Sequence, residues 1–118
     1  MSPQPGGQLM RDVSLAFIRI HVLHHAALEP VFGVEMMEEL RRHGYAISPG
    51  TLYPLLHSLE AGGVLASTQE VAEGRARRYY RTTRAGDAVL RELRDRIREL
   101  VDEVMDAEAP AGKPRRRT

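Results

Sequence analysis

The dipeptide Gly62-Gly63 divides the chain into two kinds of pattern. Before it, apolar residues recur every three or four positions, as helices require. After it, residues 64–71 and 77–82 are β-type runs joined by Ala72-Glu73-Gly74-Arg75-Ala76, which reads as a hairpin. A further helical pattern follows the hairpin and closes the chain.

The first helical pattern covers residues 9–26. Val13, Ala16, Phe17, Ile20, Leu23 and Ala27 form one apolar face, while Leu15, Ile18 and Val22 lie roughly 180° away at about 100° per residue. A helix apolar on two sides needs two partners. One is expected to be a second chain, with Leu15, Ile18 and Val22 at that interface. Glu29-Pro30 breaks this helix, and a second follows with Met36, Met37 and Leu40 inward, ending at Gly44. The third opens at Ser48, whose hydroxyl is expected to cap free amides, with Pro49 at the first helical position. Leu52, Leu55, Leu56 and Leu59 share its narrow inner face, and Pro54 is expected to distort its early turns. Thr83 is placed to cap the last helix, which reaches about Met105. There Leu90, Leu93, Ile97, Leu100 and Val104 alternate spacings of three and four, and such a seam wants a partner helix.

Composition narrows the chemistry. The chain has 118 residues, room for one domain, and no Cys, which excludes disulfides, thiolate nucleophiles and thiolate metal sites. Its 17 Lys and Arg nearly cancel 16 Asp and Glu, so any nucleic-acid contact must come from a local patch. Residues 70–84 supply one, with five Arg against two Glu. No apolar run approaches the roughly 20 residues of a membrane span. The opening MSPQPGGQ lacks the basic start and apolar stretch of a signal peptide, so a cytoplasmic protein is expected. Residues 1–8 and 107–118 read as disordered tails, the second of them basic.

The expected fold is mainly α with a small β-hairpin: a winged helix-turn-helix over residues 9–83 and a C-terminal dimerisation helix over 84–106. In that fold the third helix enters the major groove and the hairpin flanks it. The stretch Ile47-Ser48-Pro49-Gly50-Thr51-Leu52-Tyr53-Pro54-Leu55-Leu56-His57-Ser58-Leu59-Glu60 resembles the recognition-helix signature of the PadR-like family of bacterial transcriptional regulators. Arg77-Arg78-Tyr79-Tyr80, with Thr83 and Gly86, is similar to that family's wing and exit. Val34 departs from the pattern, which usually has Tyr there. The short length and single C-terminal helix resemble the compact subfamily, and the resemblance implies a homodimer built on the first and last helices. It also implies a repressor of an inverted-repeat operator, responsive to a small apolar or aromatic effector.

On this reading Ser48, Gly50, Thr51, Tyr53 and His57 on the third helix, and Arg75, Arg77 and Arg78 on the hairpin, contact double-stranded DNA. Leu15, Ile18, Val22, Leu90, Leu93, Ile97, Leu100 and Val104 form the dimer interface. Leu15, Phe17, Ile18, Val22, Ile97 and Leu100 are the candidate effector lining. No cofactor is expected. His21, His24 and His25 share a helix face, but neighbouring sequence offers no carboxylate or Cys pattern for a further metal ligand, so they read as surface or interface residues. Ser48, His57 and Glu60 have triad letters without an oxyanion motif, so no enzyme is expected. The competing reading is a winged-helix protein-interaction module without specific DNA binding.

Overall fold

A computed structural model describes residues 4–106, so residues 1–3 and the basic tail at 107–118 lie outside the described residues. Four helices and three strands follow in the order α1 (Gly7–Leu28), β1 (Val31–Phe32), α2 (Gly33–Arg42), α3 (Pro49–Ala61), β2 (Leu65–Ala72), β3 (Arg75–Thr82) and α4 (Arg84–Asp106). The first helix begins at Gly7, within the segment expected from sequence to be a tail. No helix among the described residues is long and apolar enough to cross a membrane.

The core is built where the helical stripes converge. Ile18, Val22, Leu23 and Ala26 of α1 meet Met36 and Leu40 of α2 and Leu52, Leu55 and Leu56 of α3, closed by Leu65, Tyr80 and Leu90. Burial on this scale supplies most of the stability, at roughly 1.5–3 kcal/mol for each fully buried large aliphatic side chain. This arrangement reverses one expectation: Ile18 and Val22 are 6% and 0% exposed inside the protomer and cannot meet a second chain, and Leu90, at 3%, is likewise core. Leu15 and Leu93 pack half-buried against the same core. Phe17, in the middle of α1, is 45% exposed and looks outward, as do Leu9, Met10 and Leu28 nearer its ends.

The hairpin gains a third strand that the sequence did not announce. Val31 and Phe32 pair antiparallel with Tyr80 and Tyr79, giving a sheet of order β1-β3-β2. The turn between β2 and β3 is shorter than expected: Ala72 pairs directly with Arg75, leaving only Glu73 and Gly74. Both have positive φ, 53° and 75°, as a two-residue type I′ turn demands.

The joint between wing and last helix is made by Thr83. Its hydroxyl accepts from the Gly86 amide at 2.9 Å and donates to the Gly63 carbonyl at 2.6 Å, confirming it as the helix cap and tying α4 to the end of α3. From there α4 runs outward. Beyond Leu93 it carries the exposed apolar residues Leu100, Val101 and Val104 past the core.

Candidate nucleic-acid interface

Leu52, Leu55 and Leu56 face the core, so the opposite side of α3 is turned outward: Ser48, Gly50, Thr51, Pro54 and His57 are all exposed. Pro54 sits inside an α-helix that is continuous from Pro49 to Ala61. The cap at its start differs from expectation. Ser48 occupies the cap position, but its hydroxyl makes no bond to an amide and instead approaches the Thr51 hydroxyl at 3.4 Å. The Ser48 carbonyl takes the amides of Thr51 and Leu52 at 3.0 and 2.9 Å. Two hydroxyls and a positive helix end are thereby clustered on the surface, the arrangement that favours a phosphate oxygen.

Tyr53 is the residue of this set that the structure places differently. It is half-buried and packs against the core. Its phenol lies over Gly33 so closely that a Cβ on Gly33 would overlap the ring. Tyr53 therefore braces α3 against the start of α2 instead of standing free on the outer face. Gly33 is buried at that contact, which a side chain would prevent.

The wing divides its arginines between two faces, because alternate residues of a strand point to opposite sides. Arg75 is exposed beside the turn. Arg77 lies on the same face, its guanidinium 4.5 Å from the centre of the Phe32 ring, with Glu73 at 4.0 Å. The stack holds the Arg77 stem in place while leaving its side chain 27% exposed. Phe32 in turn meets Tyr79 edge-on at 5.4 Å. Arg78 takes the other face: it donates to the Ser67 hydroxyl at 3.0 Å and to the Gln69 side chain at 3.3 Å. Ser67 passes the chain on by donating to Glu60 at 2.8 Å. Arg78 is thus held within the wing and linked to the end of α3, not bridged to the acidic last helix. Burial, with Glu60 adding to it, raises the Tyr80 phenol above its ordinary pKa, so it stays protonated beside this chain.

Glu60, weighed from sequence only as a triad letter, and Ser67 and Phe32, not singled out there at all, complete this arrangement. Only the strand register, which sets Ser67 opposite Tyr80 and Gln69 opposite Arg78, brings the first two to the wing. The expected effector lining also separates. Phe17 and Ile97 line a cleft of about 390 Å³ between α1 and α4, together with Ile20, His21, Tyr45 and Leu90. Leu15 and Ile18 line a different groove that leads to Ser48 and Thr51. Val22 lies in the core, and Leu100 is exposed farther along α4.

Known proteins share this arrangement. The family model described as transcriptional regulator PadR-like family matches residues 22–92, from the middle of α1 into α4. The chain is 53% identical over 100 residues to the transcriptional regulator Rv3488 of Mycobacterium tuberculosis, covering 85% of this chain and 94% of that one. A crystal structure of a PadR family transcriptional regulator from Eggerthella lenta superposes with a TM-score of 0.75 at 34% identity, over 87% of this chain and 92% of the other. A PadR-like regulator from Bacillus cereus shares the fold at a TM-score of 0.72 and 24% identity, over 88% and 99% of the two chains. With the winged helix, its arginine-lined hairpin and the family match spanning both, the chain belongs to the PadR-like family of transcriptional regulators.

Proposed function

We propose that this regulator is a homodimeric repressor that binds double-stranded DNA at an inverted-repeat operator, with α3 in the major groove and the β2–β3 wing over the neighbouring backbone. Residues 9–83 form the DNA-binding unit and 84–106 the dimerisation helix, and the protein acts in the cytoplasm, where its DNA lies. The observation that carries this reading is the pairing of two exposed surfaces: the hydroxyl-bearing start of α3, with His57 one face along, and the arginines at the hairpin tip. Ser48, Gly50 and Thr51 are assigned to phosphate, and His57 to a base edge. Arg75 and Arg77 are assigned to backbone or minor groove, with Arg78 as a second-line contact through its held guanidinium. Tyr53 is assigned to positioning α3.

Titrating duplex DNA from the region upstream of the gene, and random duplex, at several salt concentrations tests this. Wild type is expected to prefer the upstream duplex and to weaken steeply with salt. The double variant Arg75→Ala with Arg77→Ala is expected to lower affinity for both duplexes and to reduce the salt slope by about 1.8, since each phosphate contact releases about 0.9 counterion. Binding that barely depends on salt would favour the protein-interaction module.

The cleft between α1 and α4 favours a second reading, in which a small apolar or aromatic effector sits against Phe17 and Ile97. An effector acts only through unequal affinity for the free and DNA-bound dimer. Phe17→Ala is therefore expected to weaken binding of flat aromatic compounds, measured by calorimetry, while leaving operator affinity without compound unchanged. No heat from any compound on wild type removes the effector.

A further inference from the structure

Away from the DNA-facing surface, three imidazoles from two helices converge. His21 and His25 stand one turn apart on the same face of α1. His43, the residue that closes α2, is brought to them by the packing of α2 on α1 and supplies the further ligand that neighbouring sequence lacks. One ring nitrogen from each of the three lies within 4.8 Å of the other two. The His21 ring stacks on His43 at 4.6 Å and 25°, and His25 lies 5.7 Å from His43. A second observation concerns Nε2 of His25, which is buried and has no hydrogen-bond partner among the described residues. A buried polar nitrogen left unpaired is costly, and a cation beside it would satisfy it.

We propose that His21, His25 and His43 bind one divalent transition-metal ion of the zinc class per chain. Three imidazoles without thiolate or a carboxylate cage suit zinc, cobalt, nickel or copper and not calcium or magnesium. Two His at positions i and i+4 of one helix are a recurrent half-site for such ions. At the usual zinc–nitrogen length of about 2.0–2.1 Å, tetrahedral ligands lie roughly 3.3 Å apart. Closing to that spacing asks for a small rotation of His43, the exposed member of the three. The fourth position goes to water. Burial, with His43 and His24 adding for both, holds His21 and His25 below the ordinary histidine pKa. Glu39, whose charge acts on His25 in the opposite sense, is paired with Arg42 at 2.6 Å. The ion would pin α1 to the last turn of α2, immediately before Gly44 turns the chain toward α3.

The test contains no DNA, so it stands or falls separately from the repressor reading. Purified wild type, stripped with chelator, is titrated with cobalt and then zinc. It is expected to take one cobalt per chain with the intense visible bands of a four-coordinate site, to lose them as zinc displaces it, and to melt at higher temperature with zinc bound. His43→Ala is expected to bind at least about 100-fold more weakly, since even losing an outer-sphere partner costs about 10–100-fold. Because His43 is exposed, the metal-free melting temperature of that variant is expected to stay where it was. His24→Ala, outside the triad, is expected to bind as wild type does. Absence of the visible bands at micromolar cobalt, or zinc binding by His43→Ala equal to that of wild type, overturns the proposal.

Discussion

Leu100→Asp is expected to turn the proposed dimer into folded monomers. The residue is 51% exposed on a protomer, and with Ile97 at 38%, Val101 at 46% and Val104 at 47% it forms a stripe left open among the described residues. The 23 residues of α4 make a rod of about 34 Å, and its first half reaches the core, through Leu90 and Leu93. Ion pairs along its flank, Arg96 with Glu92 at 3.6 Å and Arg98 with Asp95 at 3.1 Å, are exposed and stabilise the helix by only about 0.3–0.5 kcal/mol each. They hold the rod but do not decide its association. An Asp at the centre of a paired stripe is a buried, unpartnered charge, costing on the order of 3 kcal/mol per copy. Twofold symmetry places it there twice, so the dimer should weaken by about four orders of magnitude. Sedimentation should show wild type as a dimer and Leu100→Asp as a monomer at the same micromolar concentration, with helical circular dichroism retained. A monomeric wild type would refute the assignment of α4.

What could be read from the sequence was whatever one element decides alone. The leucine face of α3, the stop at Gly44 and the Thr83 cap follow from spacing and local chemistry, and the structure has them all. What could not be read was decided by a second element. The two apolar faces of α1 were both visible, but nothing local says which meets the core. The branched, shorter Ile18 and Val22 fit against α2 and α3, and the larger Phe17 is left for the cleft with α4. β1 is two residues long, too short for any periodicity, and exists because β3 offers an open edge far along the chain, at Tyr79 and Tyr80. Glu73 hid the tight turn, since its positive φ is a conformation that sequence patterns expect of Asn, Asp or Gly. Tyr53 looked free because a helical wheel shows the leucines of its own helix and not Gly33 of the one before. His43 was missed as a partner for His21 and His25 for the same reason.

Gly86→Ala gives the largest effect expected on folding, and its sign runs against helix propensity. Alanine inside a helix is favoured over glycine by about 0.8–1.0 kcal/mol, so position 86, in the first turn of α4, would be stabilised if only its own helix mattered. The residue is buried against the end of α3 instead. A Cβ there would overlap the Val64 carbonyl oxygen, stand 3.0 Å from its carbon and 3.3 Å from Cβ of Thr82. The obstacle is backbone, which cannot rotate aside as a side chain can. It is also backbone in use, because the same Val64 oxygen accepts the Thr83 amide at 3.2 Å. Relief therefore requires α4 to tilt away and strain the Thr83 joint, a cost of about 1–3 kcal/mol for overpacking plus the weakened cap of about 1 kcal/mol. Net of propensity, the loss should be roughly 2 kcal/mol and the melting temperature should fall by roughly 10 °C. Ala88→Gly, on an exposed position of the same helix, provides the contrast: it should cost about 1 kcal/mol through propensity alone. A tilt in the first turn is multiplied along the length of α4, so in a dimer joined through that helix it would displace the two α3 helices relative to each other. Operator affinity should consequently fall for Gly86→Ala even at temperatures where it is folded, and hold for Ala88→Gly. A melting temperature for Gly86→Ala at or above that of wild type would show that the close approach of α4 to Val64 is not part of the folded protein.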